Sequence, residues 1–144
     1  MDFEAAFTRP YNKNTKQLIT EAVIYNGERY YQTTRAIWDT GATICTVSEQ
    51  VATLLSLKPE YKTKLKTSSE VIEKPVYRID ITIPGGTKIT GVKAALSDIS
   101  NQGLDLIIGM EIIGLGDFAV SNYDGKPQFT FRIPSQAHID FTKE

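Results

Sequence analysis

The sequence predicts an all-β domain, a closed or nearly closed barrel with one or two short helices. Three observations lead there. Apolar residues come in short alternating or β-branched runs bounded by turn residues, not in long stretches of helical period. Asn26-Gly27, Pro84-Gly85-Gly86 and Tyr123-Asp124-Gly125-Lys126 each mark a hairpin between two such runs. Helical spacing is confined to two short windows, and 144 residues suffice for one domain with a real core.

Residues 1–17 are polar and irregular, with Arg9-Pro10 and Asn12-Lys13-Asn14 as breakers, and predict a flexible arm or a late-docking strand. The run LITEAVIY at 18–25 reads as a strand, Asn26-Gly27 turns it, and residues 29–38 return. Ser48 suits an N-cap, with Val51, Leu54, Leu55 and Leu57 on one helical face and an end before Pro59. Residues 58–73 are charged and hydroxyl-rich with little apolar periodicity, and the lysines at 58–66 read as a solvated loop. At 76–83, Tyr77, Ile79, Ile81 and Ile83 share one face of a strand, and 87–96 returns from the Pro84 turn. Residues 105–109 (DLIIG) form a short buried strand stopped by glycine, and 110–115 supply one or two helical turns. Residues 118–122 and 128–133 flank the last hairpin, with Phe129, Phe131 and Ile133 on a common face.

Sixteen basic residues against seventeen acidic leave a charge of −1, so nothing draws the chain in bulk to nucleic acid or membrane. A single cysteine, Cys45, forbids an internal disulfide, and with one histidine, His138, it cannot make a zinc site of the usual kind. Neither a metal nor another cofactor is expected. No run reaches the length of a membrane span, and MDFEAAFTRP lacks a basic start and apolar stretch, so a cytoplasmic protein is expected.

The chemistry concentrates in AIWDTGATICTVSE, residues 36–49, where a carboxylate ends an apolar strand. Gly41 lets backbone N–H groups approach Asp39, and Thr40 can turn its hydroxyl to a backbone group across the site. Ile107-Ile108-Gly109 supply an apolar floor with room for close backbone approach. Such parts hold one acid rigidly in a partly dry site. Cys45 beside the loop reads as a small buried filler, since no base lies at a recognisable spacing.

A hairpin, then Asp39-Thr40-Gly41-Ala42, then a helix, and later Leu106-Ile107-Ile108-Gly109 before Met110-Glu111-Ile112-Ile113: this order resembles the retropepsin-like aspartic peptidases. The resemblance covers about residues 18–133 as one domain, between the arm 1–17 and a tail 134–144, and implies a barrel of the acid-protease type. It implies an endopeptidase with Asp39 as catalytic acid and Thr40, Gly41 and Ala42 supporting its loop. Water-mediated hydrolysis needs a base and an acid, and no second Asp-Thr/Ser-Gly occurs in the chain. The second carboxylate must come from a second copy, which gives a homodimer acting on a peptide or protein substrate. The family also places a flap over bound peptide. The matching stretch is 62–73, with Lys66, Thr67, Ser68 and Ser69 where a glycine-rich tip usually stands. Met110 replaces the arginine of retroviral members, which points to the cellular and bacterial branch, whose dimer contacts come largely from a C-terminal hairpin such as 118–133. Two other readings stay open: Asp39 as a strand-end cap, and a catalytically silent dimeric β-domain that binds extended peptides or serves assembly.

Overall fold

The computed structural model describes residues 5–66 and 68–143. The chain opens with β1 (Ala6–Pro10), then β2 (Ile19–Asn26) and β3 (Arg29–Trp38). The β2–β3 loop is Gly27-Glu28: Asn26 still pairs with Arg29, and Gly27 takes the positive φ, +63°. β4 (Cys45–Val47) and α1 (Glu49–Leu54) come next, followed by β5 (Tyr61–Lys66), β6 (Val71–Thr82) and β7 (Lys88–Leu96). β8 (Leu106–Ile108), α2 (Met110–Ile113), β9 (Asp117–Ser121) and β10 (Gln128–Arg132) complete the order.

Six strands close a barrel in the order β2-β3-β8-β4-β7-β6. Closure comes from β6 returning to β2, with Val23 opposite Thr82, Ile24 opposite Ile81 and Tyr25 opposite Asp80. A closed ring leaves these strands no free edge. Because side chains alternate along a strand, one set points inward: Ile24, Trp38, Val47, Ile79, Ile81, Leu106 and Ile108 are among the buried residues of the core. Each such side chain contributes roughly 1.5–3 kcal/mol by leaving water. The all-β barrel expected from the alternating runs is the observed architecture.

A second, antiparallel sheet, β1-β10-β9, lies against the barrel through aromatic rings. Trp38, the last residue of β3, has its ring centroid 5.6 Å from Phe7, 5.0 Å from Phe129 and 5.1 Å from Phe131. Edge-on and tilted contacts of this kind are worth about 0.5–1.5 kcal/mol each beyond area burial. Trp38 therefore couples the barrel strand that carries Asp39 to the terminal sheet.

Residues 1–17 were open to a flexible arm or a late-docking strand, and 6–10 take the strand: they form β1, paired along its length with β10. Several elements differ from the sequence reading. Residues 61–66, read as solvated loop, form β5, and β6 starts at Val71, five residues before the strand expected at 76. The β5–β6 hairpin puts lysine on alternate positions, with Lys62 opposite Pro75 and Lys64 opposite Glu73. Ser48 caps α1 as expected, its Oγ accepting from the Val51 N–H at 3.2 Å. Leu54, expected on the buried face, is 51% exposed, and Ala52 joins Val51 and Leu55 inside instead.

Candidate active site

β3 and β8 run parallel, with Ile37 opposite Ile107 and Trp38 opposite Ile108. The ladder continues one bond past the strand, where the Asp39 N–H donates to the Ile108 carbonyl at 2.9 Å. There the chain turns back, and the Ala42 N–H reaches the Asp39 carbonyl at 3.2 Å. This turn lifts Asp39 out of the sheet. The Gly41 N–H donates to Asp39 Oδ1 at 2.8 Å, and a Cβ at position 41 would stand only 3.2 Å from that oxygen. A side chain at 41 would therefore press on the carboxylate, which would have to give by a few tenths of an ångström.

A partly dry acid was expected. In the single chain, Asp39, Thr40 and Gly41 are all exposed, because the turn leaves their outer side uncovered. One side of the carboxylate is fixed and the other is open. Thr40 is exposed, and its hydroxyl makes no hydrogen bond among the described residues. A hollow of about 430 Å³ borders Asp39, with Lys16, Leu18, Ile37, Thr40 and Phe118 in its wall.

The loop is tied from below. Met110 N–H donates to the Ala42 carbonyl at 2.7 Å, and Glu111 N–H to the Thr43 carbonyl at 3.1 Å. A Cβ at Gly109 would meet the Ala42 oxygen at 2.6 Å and the Ile44 oxygen at 2.7 Å. The two Glu111 carboxylate oxygens accept from Cys45 N–H at 3.2 Å and from Lys93 N–H at 2.7 Å. Cys45 is fully buried, and burial pushes its thiol up to about 12, with the neighbouring Glu111 carboxylate adding to the rise. A thiol held protonated in this way is no nucleophile.

The expected floor divides. Ile108 points into the core and Gly109 lies beneath the loop, whereas Ile107 is half-buried on the opposite face. Register places Ile37, Ile107, Thr46, Ala95, Val76 and Tyr61 in one row across β3, β8, β4, β7, β6 and β5. That row joins the strand end bearing Asp39 to the base of the β5–β6 hairpin. Of the expected flap tip, Lys66 ends β5, Ser68 and Ser69 are exposed before β6, and Thr67 lies outside the described residues. Sequence reasoning passed over Glu111. Only its place two residues after Gly109, behind Met110, was available as a signal.

The family model for aspartyl proteases matches residues 21–112. No curated protein matches the chain. Among solved structures, a retropepsin-like aspartic protease from Rickettsia conorii is similar with a TM-score of 0.59 and 11% identity, over 89% of this chain and 92% of that one. At that identity the likeness is one of fold. The simian foamy virus (mac) protease in solution is similar with a TM-score of 0.49 and 19% identity, over 67% of this chain and 92% of that one.

Proposed function

Since this chain belongs to the aspartyl protease family and has the retropepsin-like fold, we propose that it is an endopeptidase built as a homodimer, with Asp39 from each copy forming one catalytic pair. One observation carries the reading. Asp39 is held on one side by the Gly41 N–H and exposed on the other, so a second carboxylate has access to it. Two carboxylates about 3 Å apart do not both ionise, a behaviour general to aspartic peptidases, and they share one proton.

In this mechanism the ionised Asp39 takes a proton from a water molecule as its oxygen bonds to the scissile carbonyl carbon. The protonated partner gives its proton to the carbonyl oxygen. Collapse of the resulting diol breaks the C–N bond, and a proton passes from the pair to the leaving amine. The substrate lies extended over the row through Ile107 and Thr46, its backbone pairing as an added strand along the β5–β6 hairpin, whose β5 ends the sheet order. Cleavage of a peptide library by the wild type and by Asp39→Asn tests the proposal. Cleavage lowered by orders of magnitude in a folded variant supports it, and wild-type turnover by Asp39→Asn on any substrate overturns it.

A further inference from the structure

The Asp39 loop re-enters the barrel at Cys45, where β4 begins its parallel pairing with β7 opposite Ala94. Just there, two backbone donors from different strands, Cys45 N–H and Lys93 N–H, turn to the same side chain. Glu111 takes one on each oxygen, at 3.2 and 2.7 Å, and is itself half-buried. Its own N–H holds the Thr43 carbonyl at 3.1 Å. One residue of α2 thereby grips the loop at two points and joins it to β7.

We propose that Glu111 is a positioning residue for the Asp39 loop, a carboxylate bracket that fixes the loop's exit against β7. The inference rests on the catalytic reading of Asp39 given above. The chemistry suits a carboxylate in particular. An ionised carboxylate is acceptor-only on both oxygens, and hydrogen bonds to it are roughly twice as strong as neutral ones. Glutamine has the same shape but one acceptor oxygen, and its amide nitrogen would confront the second backbone N–H. The thiol of Cys45, kept protonated in its buried place, adds no competing negative charge. Glu111 touches neither water nor substrate in this scheme. It acts through the loop.

Glu111→Gln in the full chain separates the bracket from simple stability. Amide hydrogen exchange, sedimentation and steady-state kinetics on a cleaved peptide are read on the same preparations. The expected result is a folded dimer in which exchange at Cys45 and Lys93 quickens by about tenfold while β2 and β3 stay protected. kcat falls by about 10- to 100-fold with KM within about twofold, as for a small misplacement of a catalytic group. Wild-type exchange at Cys45 and Lys93, or a kcat loss equal to the loss of folded protein, overturns the proposal. Should the variant fail to fold, scalar couplings across the hydrogen bonds in the wild type decide: couplings from the Cys45 and Lys93 amides to the Glu111 carboxyl carbon support the bracket, and their absence overturns it. Exchange needs no substrate. A wild type that cleaves nothing would therefore overturn the reading of Asp39, while the exchange data still decide whether Glu111 holds the loop.

Discussion

Gly109 lies directly beneath the Ala42 carbonyl: a Cβ on residue 109 would stand 2.6 Å from that oxygen and 2.7 Å from the oxygen of Ile44. Its φ of −101° is open to any residue, so the requirement is space and not backbone freedom. Both obstructing atoms are backbone, and relief means moving the Asp39 loop. Gly109→Ala is expected to cost about 1–3 kcal/mol of stability, as overpacking does. Peptidase activity should fall by more than the folded fraction does. Thermal unfolding and kcat/KM on the same sample check this, and an alanine variant with wild-type values for both would contradict it.

Trp38 offers a second test next to the site. Its indole N–H donates to Thr20 Oγ1 at 2.9 Å, with both residues buried. Thr20→Val keeps the shape and removes the acceptor, leaving a buried donor without a partner. A loss of about 1–3 kcal/mol follows from that desolvated group. Trp38 is the only tryptophan, so intrinsic fluorescence followed through unfolding reads this environment directly. An unshifted midpoint in Thr20→Val would show that the bond contributes nothing.

Asp117 makes stability depend on pH in a defined direction. Its carboxylate accepts from Gln136 N–H at 2.9 Å, Ser135 Oγ at 2.6 Å and Arg132 Nε at 2.7 Å. These partners, the Gln136 N–H foremost, hold the carboxyl well below the usual carboxylate range. A depressed folded value means that the stabilisation is fully present above the unfolded value of about 3.9 and is lost as pH falls through the folded one. The stability gap between wild type and Asp117→Asn should be constant from about pH 5 to 7 and shrink below about pH 4. Denaturant midpoints across that range measure it. A gap that widened on acidification would have the wrong sign.

Much of this molecule was legible in the chain. Turn residues at Gly27, Gly85-Gly86 and Gly125 placed the hairpins, and the alternation of Tyr77, Ile79, Ile81 and Ile83 placed β6 in the core, because both signals are local. β5 was hidden by its lysines: YKTKLK alternates, yet its charged face reads as a solvated loop until Lys64 is seen opposite Glu73. β1 pairs with β10 at the far end of the chain, and no local pattern announces a partner so distant. β4 is three residues long, too short to show a period. The Asp39 loop and Gly109 were readable as residue types. Glu111 was not, since its two acceptor bonds exist only where β4 and β7 come together. The partly dry setting read for Asp39 is not a property of one chain, which leaves that side of the carboxylate uncovered.

The proposed pair of Asp39 carboxylates is tested most directly by dilution. A monomer holds one Asp39 and no second acid of the same motif, so the rate per chain must follow the dimer fraction by mass action. Peptidase rate and sedimentation are measured on the same samples from well above to well below the dimer Kd. The predicted result is a rate per chain that is constant at high concentration and falls in step with the dimer fraction on dilution. An undiminished rate per chain in samples that sediment as monomer would contradict it.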